Sequence, residues 1–443
     1  MPVPRITSWT LLVGSLMVFF FSFGFYIGAY PMDDRARFDG DTWEYQSLGV
    51  NLALGHGYQI GAAEDFVRYK FDGSSDKILY PFGESPRKLG DYFNSGPRYS
   101  FFRTPGYPLF LSTVYSVFGV HPFYVKVIQV ILLSISAGVF PLLGWHYWKA
   151  KGFLCGLFTA FGTVLFFSPD PTEILVEPFI AFCLTLWAIV LSWWEGHVYS
   201  LRLAGLLGIT TGLCLLVKGT TIFLPILFML YLLMKFRLSR DFMLRGGVFV
   251  LGMVLLILPW CLYASSKSGK PVLLSTQFNL SLIDSNNEDS LETGSWEPSW
   301  RRESRGDPRY MANLSQNAGK PSIVMVLQFW VQHWRELPSF FIKKLYVAFG
   351  HPVVLMILVL MFLSYIRLRV KGEQPREEKL PVFPLLFFLN LILLTLLFFG
   401  LYHRFTRVFM PYFLFMAGYL PLTLVAEACK RWGIFRTESI HKI

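Results

Sequence analysis

LLVGSLMVFFFSFGFYIGAY, residues 11–30, is a run of twenty positions without a charge. At ~1.5 Å of rise per residue, a helix of that length crosses a ~30 Å hydrocarbon core. The run exceeds the usual apolar core of a signal peptide, and no small-residue cleavage site precedes Pro31, so we expect an uncleaved first span. Reading outward, comparable runs follow at 122–147, 152–168, 178–194, 203–217, 220–234, 246–264, 345–366, 381–401 and 408–426. Of the 443 residues, 53% are hydrophobic and only 16% charged, where a soluble chain would be about a quarter charged. The expected fold is an all-α polytopic membrane protein with about ten spanning helices, forming one membrane-embedded domain over residues 1–443.

A shorter run, 105–119, decides the sidedness of everything after it. If it spans, the loop with Lys235, Arg237, Arg240 and Arg245 faces outward, as does the loop with Arg367, Arg369, Lys371, Arg376 and Lys379. If it lies in the outer interface, both loops face the cytoplasm, together with Lys149, Lys151 and the basic tail. The positive-inside rule selects the second arrangement. It places 17 basic and 7 acidic residues inside, so most of the formal +11 charge is cytoplasmic and suits anionic headgroups. Nucleic acid is not needed as a partner. Two long segments then lie outside, 31–104 and 265–340, with an amphipathic interfacial helix expected around 322–340. The cysteines (155, 183, 214, 261 and 429) all fall in or beside apolar runs, so no disulfide framework is expected in the outer loops.

The candidate chemistry gathers at the outer surface. Asp33, Asp34, Asp39, Asp41 and Glu44 open the first loop, and Asp41, Tyr45, Leu48 and Leu52 recur at the spacing of one helical face. Composition alone reads this as a solvated acidic stretch; the periodicity favours a carboxylate held at the membrane surface. The short loop 168–177 carries Asp170, Glu173 and Glu177 without a basic residue, and a carboxylate at the mouth of a span is costly unless paired or wet. At the same level stand Arg103, Lys218, His403, Arg404 and Arg407, suited to a lipid-linked phosphate. Taken singly, each cation reads equally well as interfacial snorkelling. No cofactor is expected. Paired aspartates leave open Mg²⁺ or Mn²⁺ bound through oxygen ligands, and no set of residues has zinc spacing.

These residues, in this order, resemble GT-C-type membrane glycosyltransferases, in the broad group of lipid A aminoarabinose transferase and protein O-mannosyltransferases. Asp41-Thr42-Trp43-Glu44-Tyr45 resembles their acidic D-x-x-x-Y element, and residues 51–58 (NLALGHGY) resemble its continuation. Arg103-Thr104-Pro105-Gly106-Tyr107-Pro108, closing at Phe118-Gly119, resembles their interfacial helix. Glu177 stands where a second acidic residue is common. Gly212-Leu213 leading to Lys218, Pro259-Trp260, and Tyr402-His403-Arg404-Phe405 with Pro411 match later segments imperfectly.

The resemblance implies a polyprenyl (undecaprenyl or dolichyl) phosphate sugar as donor and an extracytoplasmic lipid, glycan or protein as acceptor. The reaction would be a direct displacement, in a bacterial inner or other plasma membrane. It implies Asp41 as base, Glu177 orienting acceptor or sugar, Asp39 and Tyr45 positioning substrate, and Arg103, Lys218, His403, Arg404 and Arg407 on the donor phosphate. The sugar and acceptor stay open. An oligosaccharide ligase or polymerase, or a secondary transporter, is the rival reading; few charges within the spans speak against a transporter.

Overall fold

The structure, a computed structural model, describes residues 8–34, 41–61, 78–79, 87–88, 98–198, 200–295, 321–370, 379–398 and 406–431. Seven helices among them are long and apolar enough to cross a membrane. They are α1 (Ser8–Ala29), α4 (Pro122–Gly162, running on to Phe167), α5 (Val176–Gly196), α7 (Leu224–Phe236, with its preceding turn), α8 (Arg240–Ser268), α13 (Pro352–Val370), and the pair α15 (Met410–Ala417) and α16 (Tyr419–Arg431). Two shorter apolar helices, α6 (Leu201–Val217) and α14 (Phe383–Leu397), stand beside them in the bundle.

The longest of the seven is two spans. At Trp148 and Lys149 the backbone leaves helical geometry, with Lys149 at φ 53°, and the chain folds back on itself. A Cβ on Gly144 would come within 1.8 Å of the Gly152 carbonyl oxygen, and one on Gly156 within 2.2 Å of that of Phe140. The arms therefore run antiparallel in backbone contact, which only glycine permits. With α4 divided and the shorter α6 and α14 counted, the described helices make ten apolar arms, the number of spans expected. Glycine contact recurs between α6 and α8, where a Cβ on Gly208 would lie 2.0 Å from the Phe249 oxygen and one on Gly252 2.4 Å from that of Gly205. In lipid, such close approach replaces the hydrophobic force between helices. The outward faces are apolar, with Phe20, Leu255, Leu262 and Val359 exposed, while Trp187, Trp194 and Phe228 fill the interior.

The helix ends segregate into two groups. At one end, Lys126 pairs with Asp33 at 2.6 Å, His121 with Asp34 at 2.8 Å, and Asn286 donates to the Leu397 carbonyl. At the other, Tyr147 donates to Ser192, Trp148 to the Lys379 carbonyl and Arg245 to that of Val198, while Arg367 pairs with Glu427. The apolar arms alternate between these two groups.

Helix α3 (Gly106–Phe118) does not span. Thirteen residues make only ~20 Å of helix. Its start is tied to the end of α6 through Thr104 Oγ1 donating to the Val217 carbonyl, and its exit lies beside the His121–Asp34 pair. Both of its ends thus sit at the same end of the bundle, as an interfacial helix requires. It packs across α2 (Thr42–Ala53), with Gly49 against Leu111.

One expectation is corrected. The amphipathic segment near 322–340 is two helices, α11 (Ser322–Gln332) and α12 (Leu337–Phe349), because the chain turns at 333–336 and Pro338 opens a new helix. Two short helices precede them, α9 (Gln277–Asp284) and α10 (Glu288–Thr293). Among the described residues, strand is limited to two short antiparallel pairs, Gln59–Ile60 with Arg98–Tyr99 and Ile78–Leu79 with Arg87–Lys88.

Candidate active site

Asp41 is the N-cap of α2, and its carbonyl accepts from the Tyr45 amide, so the two side chains emerge one turn apart on one face. The guanidinium of Arg103 sits against them, 4% exposed. Its Nη2 donates to Asp41 Oδ1 at 2.7 Å, its Nε to the Glu44 carboxylate and its Nη1 to Gln277 Oε1 at 3.4 Å, so all three nitrogens are engaged. The rings of Phe102 and Tyr45 lie 4.8 and 5.2 Å from its central carbon. Burial works against the charged guanidinium, but the Asp41 and Glu44 carboxylates outweigh it and hold Arg103 protonated above its ordinary range.

The turn that presents Arg103 is fixed from behind. Tyr58 donates its hydroxyl to the Arg103 carbonyl at 2.9 Å, stacks on Phe101 and meets Trp260 edge-on. Asn51 holds the loop before it, donating to the Gln59 carbonyl and contacting His56. The NLALGHGY and Pro259-Trp260 segments therefore support the site's backbone.

Lys218 ends α6 in extended backbone, and its Nζ donates to Glu177 Oε1 at 2.5 Å, with the two side chains 11% and 3% exposed. Asn390 of α14 fixes the turn that follows, donating to the Thr220 carbonyl and accepting from the Phe223 amide. Gly106 brings the two halves together, because a Cβ there would lie 2.8 Å from the Leu216 oxygen and the Val217 nitrogen.

Asp41, Tyr45, Arg103 and Lys218 line one cavity of about 730 Å³, counting the part open to the outside. Thr220, Ser275, Gln277 and Ser281 add polar groups, and Ile222, Leu274, Phe278, Leu394 and Phe398 form an apolar wall. Asp41 keeps a side chain 24% exposed, whereas Glu44 lies buried behind Arg103. The arrangement offers an accessible carboxylate and an ammonium, each paired with a buried opposite charge, beside a lipid-like surface. A concave apolar site with a few convergent polar groups is the usual form of a small-molecule pocket.

Of the expected site residues, Asp41, Tyr45, Arg103 and Lys218 thus converge, and Glu177 stands behind Lys218 rather than on the cavity. Arg407 lines a different cavity, with Tyr26 and Tyr412. Asp39, His403 and Arg404 lie outside the described residues. Sequence reading named Glu44 in the acidic stretch but gave it no role, although it stands one turn from Asp41 as a second carboxylate on that helix. Nothing local marks Gln277 or Asn390. Among the described residues, no three His, Cys, Asp or Glu side chains gather into a metal-holding set.

No protein family matches the sequence, and no curated protein does. Among solved structures the chain is similar to ArnT from Cupriavidus metallidurans bound to undecaprenyl phosphate, at 12% identity and a TM-score of 0.39, covering 95% of this chain and 78% of that one. It is similar to the archaeal oligosaccharyltransferase AglB from Archaeoglobus fulgidus in complex with an inhibitory peptide and a dolichol-phosphate, at 14% identity and a TM-score of 0.49. That likeness covers 97% of this chain and 53% of AglB, so the chain spans about half of AglB's length.

Proposed function

We propose that the chain is a membrane glycosyltransferase that moves a sugar from a polyprenyl-phosphate donor to an extracytoplasmic acceptor. One observation carries the reading: Asp41 and Lys218, far apart in sequence, line the same cavity, beside an apolar wall of Ile222, Leu274, Phe278, Leu394 and Phe398. In this proposal the acceptor hydroxyl attacks the anomeric carbon and its proton passes to Asp41. The bond from the anomeric carbon to the phosphate oxygen breaks, and the lipid phosphate leaves with its negative charge facing Lys218. Arg103 orients Asp41, because its guanidinium is committed to that carboxylate, to Glu44 and to Gln277. Glu177 balances Lys218, and Tyr45 packs on Arg103 beside the base. His403 and Arg404 are assigned to the donor phosphate from their sequence position. The polyprenyl tail lies along Phe278, Leu394 and Phe398.

The test is turnover of a polyprenyl-phosphate monosaccharide by purified protein. Asp41→Asn keeps the shape and removes the base, so turnover should fall about 10²–10⁴-fold with donor binding retained. Asp39→Asn should be milder. A fully active Asp41→Asn protein would sink the mechanism. Loss of parent activity on adding EDTA would recast Asp41 as a cation ligand. A chain that ignores monosaccharide-phosphate lipids but joins preassembled oligosaccharides would be a ligase.

A further inference from the structure

Gln277 opens α9 and faces the Asp41 cavity together with Ser275 and Ser281. Ser281 follows it by four positions, so the two share one face of the helix. The amide has a fixed sense. A guanidinium carries only donors, so the contact with Arg103 Nη1 at 3.4 Å takes the Gln277 oxygen and leaves the amide nitrogen turned elsewhere. Among the described residues that nitrogen has no hydrogen-bond partner, and neither do the Ser275 and Ser281 hydroxyls. All three side chains are half-buried, so a ligand in the cavity can reach them.

The helix that carries these groups is tied down along its length. The Thr276 amide donates to the Phe101 carbonyl at 2.8 Å, two residues before Arg103. Ser322 Oγ donates to Asn279 Oδ1 at 2.8 Å. Asn286 Nδ2 donates to the Leu282 carbonyl at 2.9 Å and to that of Leu397, at the end of α14, at 2.8 Å. Groups on a backbone fixed in this way give up little freedom when they bind.

One amide donor and two hydroxyls, all uncharged, thus stand on the cavity that holds the Asp41 carboxylate and the Lys218 ammonium. Serine hydroxyls both donate and accept, as the hydroxyls of a sugar do. The charged groups answer a proton and a phosphate; this strip answers a polyol.

We propose that Gln277 is a specificity residue of this cavity: its amide nitrogen donates to an oxygen of the donor's sugar, and Ser275 and Ser281 complete a strip that reads uncharged carbohydrate. The identity of the lipid donor rests on the transferase reading. The probes are citronellyl phosphate esters of glucose, mannose, galactose and N-acetylglucosamine, titrated by calorimetry onto the full chain in nanodiscs. The reference is citronellyl methyl phosphate, which keeps the charge of the diester and lacks the sugar. At least one sugar ester should bind the parent more tightly than the methyl ester. Gln277→Ala should cut that ratio about two- to tenfold, the range of one neutral hydrogen bond, and keep the affinity for the methyl ester. Gln277→Glu separates contact from support, because its carboxylate still accepts from Arg103 but cannot donate to a sugar oxygen. It should lose the ratio as Gln277→Ala does. A parental ratio in Gln277→Glu would overturn the contact and leave the residue as a support for Arg103. So would sugar esters that bind no better than the methyl ester, or a Gln277→Ala ratio equal to the parent's, including one accompanied by a raised KM for the acceptor alone. Failure of the transferase reading looks different: sugar esters would bind in the expected pattern and the parent would never turn them over.

Discussion

Replacing Lys218 by Met would leave Glu177, 2% exposed, buried without the cation that faces it at 2.5 Å. Both side chains are out of water, so screening gives little relief. Removing one partner of a buried pair costs about 3–5 kcal/mol, some 10²–10⁴ in the folding equilibrium, because the remaining charge loses the cation facing it. Removing both charges is close to neutral. Lys218→Met should therefore melt well below the parent in detergent, and Lys218→Met with Glu177→Gln should recover most of the loss. Turnover should separate the two roles of the lysine. If its ammonium also faces the departing phosphate, the double variant regains stability and stays slow. A single variant that melts with the parent would refute the stabilising role of the pair. A double variant with parental turnover would remove Lys218 from the chemistry.

Lys344 of α12 is buried against Asn286, the Leu396 carbonyl and the Phe340 ring, and burial pulls its ammonium down to about 7. Its folded value lies below the unfolded one, so the folded state binds fewer protons between about pH 7 and 10.5, and this contribution to stability rises with pH through that window. The melting temperature of Lys344→Met minus that of the parent should accordingly be largest below pH 7 and shrink toward pH 10; a difference flat in pH would contradict the assignment. Gly156→Leu should prevent the α4 arms from closing, costing at least the ~1–3 kcal/mol of an overpacked core, and a variant that expresses and melts like the parent would refute the backbone contact. In a background without native cysteines, an impermeant thiol reagent should label cysteine at Leu273 and spare cysteine at Ser239 in intact cells. The reverse result would invert the topology.

Sequence and structure agree most closely where one physical rule dominates. Span count follows from charge-free length, and the placement of α3 from the distribution of Lys and Arg, both long-range constraints of the bilayer written locally. Asp41 and Tyr45 were readable because a helix repeats every 3.6 residues. The break at 333–336 was also readable, since Pro338 sits at the start of α12, but the apolar periodicity on either side masked it. Tertiary facts were not. Gln277 reaches Arg103 because the Thr276 amide bonds to the Phe101 carbonyl, a contact across 175 positions with no periodic signature. Arg407 follows His403 and Arg404 closely, yet the turn into α15 points it to another cavity. The commitment of Arg103 to two carboxylates also depends on packing, because its position alone fits a phosphate ligand equally well.

The glycine hairpin of α4 bears on how the bundle is made. Gly144 and Gly152 meet although only eight positions separate them, so closing this hairpin costs little loop entropy. Arms in backbone contact leave no room for a lipid tail between them, so they stand in the bundle as one double rod. On one side the rod receives α1, through Ser15 against Gly138, and on the other α15, through Phe415 against Cys155. Helices from both sides of it in the sequence thus pack on one surface formed by the hairpin. The cavity beside Arg407 takes its last wall from α15.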